Sequence, residues 1–173
     1  MTSSAPSIAT RPRASHDDRA IAEVVAAAFG GDEEAKLIER LRQDGEMLCE
    51  WVATTDDCRL VGHIAFSTLV ARHGSQSLRA AALAPLAVAP AVQRRGIGDR
   101  LTRDGLEALR HQGIELVVVL GHPSYYPRFG FSALRAKLLE APYCGDSFMA
   151  LELTPRALAG VTWSVLYPRA FSV

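Results

Sequence analysis

Residues 83–98 read Leu83-Ala84-Pro85-Leu86-Ala87-Val88-Ala89-Pro90-Ala91-Val92-Gln93-Arg94-Arg95-Gly96-Ile97-Gly98. The first part predicts an apolar strand ending at Pro90, and a helix begins at about Gly98 after a basic loop with two glycines. Free backbone N–H groups in such a loop and at a helix N-terminus bind anions, most often phosphate. Arg94 and Arg95 add positive charge at the same place. The stretch therefore predicts an anion-binding turn between a strand and a helix.

The composition is typical of a soluble globular protein. The chain has 173 residues, of which 49% are hydrophobic and 22% charged, which suits one core. Its 19 basic and 19 acidic residues balance, and this argues against a nucleic-acid partner, because phosphate contacts usually need a basic surplus. No apolar run approaches the roughly 20 residues that span a bilayer, and residues 1–10 lack the apolar core of a secretory signal. We therefore expect neither a nucleic acid nor a membrane as a partner.

The cysteines indicate a reducing compartment. Cys49, Cys58 and Cys144 are odd in number, widely spaced and without a Cys-x-x-Cys pair. This pattern argues against a disulfide scaffold or a zinc site and fits reduced thiols in the cytoplasm. The small, polar N-terminus has little to bury. We expect residues 1–7 to be disordered and residues 8–173 to form a single domain.

The first third of the chain predicts one edge strand and two helices. Residues 8–13 suit an edge strand, since Pro12 removes a ladder donor. The next helix carries an apolar face and ends at Gly30-Gly31, and a second runs from near Asp32 to Gly45. Its acidic first turn suits the helix dipole.

The remaining chain predicts a mixed sheet. Strands at residues 47–54, 59–71 and the one that ends at the opening stretch form an antiparallel meander. The motif helix then crosses to residues 114–120, an apolar run typical of a strand covered on both faces, which implies a parallel pair. Further short elements are expected, in order, as a helical piece at 124–129, a connection at 131–139, a strand at 147–153, a helical turn at 155–158 and a last strand at 161–167. The expected fold class is α/β, with six or seven mostly antiparallel strands, one parallel pair and about four helices.

Three sequence features resemble the GNAT superfamily of acyl-CoA-dependent N-acyltransferases. The loop Gln93-Arg94-Arg95-Gly96-Ile97-Gly98 is similar to the family's pyrophosphate loop, and the residues before it are similar to its fourth strand. Tyr126-Pro127-Arg128-Phe129-Gly130-Phe131 is similar to the Tyr-x-x-x-Gly-Phe element after its fifth strand. The loop lacks the Gly-Lys-Ser/Thr end of a nucleotide P-loop and is not Gly-x-Gly-x-x-Gly. The resemblance covers about residues 8 to 170.

The resemblance implies acetyl-CoA as the cosubstrate, with no metal. Tyr126 is the implied general acid, which protonates the thiolate leaving group. The strand edge would bind the pantetheine arm and the loop the pyrophosphate. The implied cofactor-binding residues are Leu86, Ala87, Val88, Gln93, Arg94, Arg95, Gly96, Ile97, Gly98 and Asp99.

The general base is left open. Many relatives carry a carboxylate on or beside the fourth strand, but residues 81–85 contain none. Glu50, His63 and His122 are candidates, and ordered water is another. Tyr125 is expected to pack or to line the acceptor pocket.

Two function classes follow. The first is an enzyme that moves an acetyl group from acetyl-CoA to a primary amine. The alternative is a non-catalytic module that senses acyl-CoA or binds a partner. The retained Tyr126 favours the enzyme, whereas the missing carboxylate keeps the alternative open. The aromatic C-terminus is expected to form a core strand or a homodimer contact.

Overall fold

The computed structural model of the chain describes residues 7–172. The disorder expected for residues 1–7 therefore lies outside the described residues, except at Ser7. The Ser7 backbone N–H and hydroxyl both donate to the Asp56 carboxylate, at 3.0 and 2.7 Å. Ser7 is thus held beside the turn between the second and third strands.

Within residues 7–172, eight strands form one mixed sheet. They are β1 (Ile8–Pro12), β2 (Met47–Thr55), β3 (Leu60–His73), β4 (Gln76–Val88), β5 (Leu116–Leu120), β6 (Leu139–Glu140), β7 (Phe148–Glu152) and β8 (Trp163–Leu166). Strands β1 to β4 pair in sequence order and antiparallel. Strand β5 lies parallel to β4, and β7 lies antiparallel to β5. The short β8 pairs with β3 and, in parallel, with β6.

The helices cover the two faces of the sheet. They are α1 (Asp18–Phe29), α2 (Glu33–Gln43), α3 (Ile97–His111) and the single-turn α4 (Ala133–Ala136). Helix α3 packs on Phe66, Val117 and Val119, and we call this side of the sheet the α3 face. Helices α1 and α2 pack on Val52 and Ala87, and we call that side the α1/α2 face.

Helix α3 lies very close to the sheet. A Cβ added at Gly105 would lie 2.4 Å from Cε2 of Phe66 on β3. Leu101, Leu106 and Leu109 of the same helix are buried in the core beneath it. The glycine therefore sets the distance between α3 and the strands that carry the site.

The mixed sheet expected from the sequence is confirmed, with three differences in detail. Residues 139–140 pair with β8, so that the sheet has eight strands rather than six or seven and a second, two-residue parallel pair. Helix α4 lies in the expected connection at 131–139, capped by the Ser132 hydroxyl. Residues 155–158 form turns rather than a helical turn. Elements of two to four residues are too short to produce a periodic sequence signal.

Strands β4 and β5 separate in the middle of the sheet. Their pairing ends at Leu83 and Val119. At the same level, the β3–β4 register shifts between Ile64 and Phe66, which leaves Ala84 and Pro85 as a bulge on β4. Bulges bend strands and are common beside active sites. Beyond Leu83, one edge of β4 is therefore open.

Candidate active site

A cleft of about 780 Å³ opens where β4 leaves β5. It lies at the N-terminus of α3, between the end of β4 and the turn after β5. The residues that line it are Leu86, Val88, Gln93, Arg94, Gly96, Ile97, Gly98, Asp99, His122, Tyr125, Tyr126 and Arg128. The cleft brings together most of the residues expected at a cofactor site. Tyr126, the expected general acid, lines it as well.

The open edge of β4 supplies backbone groups to the cleft. The Ala89 N–H donates to Val61 O at 2.8 Å. Hydrogen-bonded and non-bonded pairs alternate in an antiparallel ladder, so Ala87 directs its backbone groups towards β3. Leu86 and Val88 direct theirs towards the open edge. The Ala87 side chain is buried on the α1/α2 face, which explains why Ala87 does not line the cleft.

The glycine loop leads directly into α3. Gly96 is the N-cap, with a φ of 78° in the left-handed region that glycine adopts without strain. The N–H groups from Gly96 to Asp99 precede the first complete helical turn and have no acceptor within the helix. A Cβ on Gly98 would lie 2.8 Å from the Tyr125 hydroxyl. The loop therefore presents backbone donors beneath an aromatic side chain.

The polar side chains of the loop differ in position. Arg94 lines the cleft, whereas Arg95 does not. The Gln93 side-chain amide donates to Val88 O at 3.0 Å, which ties the loop to the end of β4. Arg94 and the Gln93 amide therefore belong to the cleft, whereas the Arg95 side chain lies outside its lining.

Tyr125 and Arg128 form one wall of the cleft. The Arg128 guanidinium lies 4.5 Å from the centre of the Tyr125 ring, and its Nε donates to Tyr125 O at 2.9 Å. Arg128 also lies 3.4 Å from the Asp99 carboxylate. Burial, and then a hydrogen bond to Asp99, raise the pKa of Tyr125. Tyr125 is therefore held protonated as a packing and bonding group.

Tyr126 lies deeper in the same cleft. Its side chain is 8% exposed and packs edge-on against Phe131 and Tyr125, with ring centres 5.7 and 5.0 Å apart. A Cβ on Gly121 would lie 2.2 Å from Cε2 of Tyr126, so that only glycine fits there. Burial raises the pKa of Tyr126 to about 12. Tyr126 is therefore a fixed, protonated phenol at the edge of the cleft.

The candidate bases fall in two places. His122 follows β5 and lines the cleft beside Tyr126. Glu50 and His63 lie on the α1/α2 face, where His63 Nε2 is 2.9 Å from Glu50 Oε1. Arg42 of α2 donates two bonds to the same carboxylate, at 2.6 and 3.0 Å. The sequence spacing between these residues gives no sign of this cluster.

Two further charged groups, both partly exposed, extend this cluster. Asp18, at the start of α1, accepts two 2.7 Å bonds from Arg13 and lies 3.2 Å from Arg42. Arg13 lies 3.8 Å from Glu50. Burial acts to raise the pKa of Glu50, but hydrogen bonds from His63 and Arg42 outweigh it and hold the pKa at about 2. The Glu50 carboxylate is therefore ionised and joins both helices of the first hairpin to the sheet.

Among the described residues that line the cleft, Arg128 is the one charged side chain that was not expected there from the sequence. It stands three residues after Tyr125 on the single turn Tyr126–Phe129. This spacing places both side chains on one side of the turn, and it is the signal that identifies Arg128. The described residues contain no group of three or more His, Cys, Asp or Glu that would hold a metal. Within the same residues, no helix is long and apolar enough to cross a membrane.

Known proteins resemble the chain over most of its length. The family described as "Acetyltransferase (GNAT) domain" matches residues 9–134. "Uncharacterized N-acetyltransferase YhbS" of Escherichia coli (strain K12) is 34% identical over 158 residues, which cover 90% of this chain and 93% of YhbS. "Uncharacterized N-acetyltransferase YjhQ" of the same strain is 40% identical over 126 residues, or 71% of this chain and 69% of YjhQ.

Two solved structures share the fold closely. One is the E. coli YhbS protein in complex with CoA, with a TM-score of 0.89 and 32% identity, covering 100% of this chain and 96% of YhbS. The other is a GNAT family acetyltransferase from Brucella melitensis in complex with acetyl-CoA, with a TM-score of 0.79 and 31% identity, covering 96% and 99%. The resemblance inferred from the loop and the Tyr-x-x-x-Gly-Phe element is confirmed: the chain belongs to the GNAT family of N-acetyltransferases.

Proposed function

We propose that the protein transfers an acetyl group from acetyl-CoA to a primary amine by direct attack, with Tyr126 as the general acid. The observation that carries the proposal is one cleft that joins the open edge of β4, the N-terminus of α3 and Tyr126. A thioester cosubstrate with a pyrophosphate and an amide-containing arm requires these three parts.

The binding end of the cleft suits coenzyme A. The relatives of this protein from E. coli and B. melitensis were solved with CoA and acetyl-CoA, which supports the same cosubstrate here. The loop N–H groups from Gly96 to Asp99, with Arg94, would hold the pyrophosphate. The extended arm would pair with Leu86 and Val88 as an added strand. The Gln93 amide already bonds Val88 O, so Leu86 O is left as the carbonyl for the arm.

The reacting end requires an oxyanion donor and an acid. A backbone N–H on the open edge of β4 would bond the thioester oxygen and stabilise the negative charge that develops on it. With a pKa of about 12, Tyr126 is protonated at neutral pH. Its proton would pass to sulfur as the C–S bond breaks and charge develops there.

The test measures thiol release from acetyl-CoA across a panel of primary amines. We expect turnover with at least one amine, and Tyr126→Phe should lower kcat by about 10²–10⁴, with little change in the Kd of acetyl-CoA. Tyr143→Phe is the matched control, since Tyr143 packs against Tyr167 and Phe148 in a separate cluster.

Two outcomes would contradict the proposal. Unchanged kcat in Tyr126→Phe would remove the acid role from that residue. Tight acetyl-CoA binding without turnover on any amine would instead favour the non-catalytic, acyl-CoA-sensing module.

A further inference from the structure

Two fully buried side chains on β3, within the residues that the structure describes, each carry a polar atom without a hydrogen-bond partner. Within residues 7–172, the buried side-chain atoms without a partner are His63 Nδ1, Ser67 Oγ and Glu46 Oε2. His63 and Ser67 are both 0% exposed, whereas Glu46 is only partly buried. An unsatisfied buried polar group costs about 1–3 kcal/mol, so each such group in a native fold requires an explanation.

Both side chains lie on the α1/α2 face. His63 pairs directly with Val52 on β2 and Ala87 on β4, which belong to the core beneath α1 and α2. Ser67 pairs with Met47, which packs on the same core. Directly opposite residues of an antiparallel pair project to the same side. His63 and Ser67 therefore share the face opposite to the one on which Tyr126 packs.

The register places these two residues above and below the level at which β4 separates from β5. On β4, His63 lies opposite Ala87 and Ser67 lies opposite Ala82. The β4 residues between those two positions include the bulge and Leu83, where pairing with β5 ends. This is the level at which the edge of β4 becomes open. His63 and Ser67 therefore lie one strand away from the gap between β4 and β5, on the face opposite to Tyr126.

The hydrogen bonds fix the protonation of the His63 ring. The Glu50 carboxylate is ionised, so it only accepts hydrogen bonds. The His63 Nε2, at 2.9 Å from it, must carry the proton. Nδ1 is then the nitrogen with a free lone pair. A carboxylate that holds one ring nitrogen so that the other acts as a base is the arrangement of a histidine general base.

Burial keeps the His63 ring neutral. Burial lowers the pKa of His63. Glu50 acts to raise this pKa, whereas Arg42 and Arg13 act to lower it further. These are the charged groups that face the ring from β2, α2 and the segment after β1. Asp18 of α1 pairs with both arginines. His63 therefore enters the reaction as a base rather than as an imidazolium.

We propose that His63 Nδ1 is the general base for acetyl transfer, acting through one water, and that Glu50 is a positioning residue. The inference rests on the proposed acetyltransferase function. The amine lone pair forms the C–N bond and the C–S bond breaks. The nitrogen loses its proton to His63 Nδ1 through one water, and the sulfur gains the Tyr126 proton. Solvent then takes the proton from His63 and reprotonates Tyr126.

The kinetic test uses the wild-type chain and three variants with an amine that the wild type acetylates. His63→Gln should lower kcat by about 100-fold or more and remove the acidic limb from the pH profile of kcat/KM. Glu50→Gln should lower kcat about 10-fold and shift that limb, whereas Ser67→Ala, which alters a buried polar group on the same face, should leave the pH profile unchanged. The Kd of acetyl-CoA should change little in all three.

A matched control separates chemistry from packing. Val52→Ala alters a fully buried residue directly opposite His63 on the same face, but it has no titratable group. It should lower stability and leave the pH profile unchanged. An unchanged kcat and pH profile in His63→Gln would overturn the inference. A wild type that acetylates no amine would instead count against the proposed function.

A spectroscopic measurement on the wild-type protein tests the inference even if the variants fail to fold. Nitrogen NMR of ¹⁵N-histidine in the wild-type protein should show the His63 ring protonated at Nε2 and bare at Nδ1 at neutral pH. A ring protonated at Nδ1 would overturn the inference, whatever the activity of the variants.

Discussion

The two faces of the sheet are built by different means. On the α3 face, the cleft depends on backbone groups and close packing: the turn at Gly96, the open edge of β4, and Tyr126 against Gly121. On the α1/α2 face, charged side chains from distant segments meet around Glu50. Backbone sites leave short, local sequence patterns, whereas clusters of side chains leave none. The comparison makes each face sensitive to a different kind of substitution.

The largest expected effect on stability comes from removing the central charge of the α1/α2 face. Glu50→Ala leaves Arg42, Arg13 and His63 facing a missing carboxylate. Removing one partner of a buried ion pair typically lowers the free energy of unfolding by about 3–5 kcal/mol. Urea denaturation would measure this loss. Glu23→Ala is the control, because Glu23 pairs with Arg19 in solvent and should cost about 1 kcal/mol or less. Equal losses would show that Glu50 does not hold the hairpin to the sheet.

The α3 face should respond to a single methyl group through turnover. Gly121→Ala places a Cβ 2.2 Å from the Tyr126 ring, so the ring must move. We expect kcat to fall by about 100-fold, because misplacement by about 1 Å carries a penalty of that size. The Kd of acetyl-CoA should change much less. Normal turnover in this variant would mean that the position of the Tyr126 ring is not critical.

The contact between α3 and the sheet can be tested without touching the cleft. Gly105→Ala directs a methyl group at Phe66, 2.4 Å from Cε2. Overpacking of this kind costs about 1–3 kcal/mol, although alanine is the better helix former. Thermal unfolding should show the loss, while Gly31→Ala, which meets no atom within 4 Å, should be near neutral. A neutral Gly105→Ala would show that α3 moves away at little cost.

Acid should weaken the α1/α2 face in two steps. Burial keeps the pKa of His63 below its ordinary value of 6.5, so the unfolded chain binds a proton that the folded chain does not. Stability is therefore lost as the pH falls through about 6.5. The depressed pKa of Glu50, about 2 against an ordinary 4.5, adds a second loss as the pH falls from 4.5 towards 2.

Urea midpoints measured across this range would separate the two groups. His63→Gln should flatten the upper step and leave the lower one. An upper step of unchanged size in His63→Gln would assign it to another group.

The cofactor end was predictable because its signals are local. The glycine loop and the Tyr-x-x-x-Gly-Phe element each lie within six consecutive residues, and α3 with β5 fixes the distance between them. Side chains alternate between the two faces of a strand, so Ala87 should lie on the face opposite to Leu86 and Val88 and outside the cleft.

The positions of the candidate bases were not predictable from the sequence. Glu50, His63 and His122 were named from residue type, but their separate places follow from pairing register and from the return of α2 over β2. Arg42 gives no sign of its role in the sequence, because charged residues at a helix end usually face solvent. Only the tertiary packing shows which of them meets a buried carboxylate.

Strand β3 has a consequence for protein engineering. Ile64 and Phe66 belong to the α3 face, whereas His63 and Ser67 belong to the other. Inserting or deleting one residue upstream of His63 within β3 would exchange these sides at once. Chimaeras with other family members should therefore place their crossover points outside Leu60–His73, where a change in chain length leaves both faces in phase.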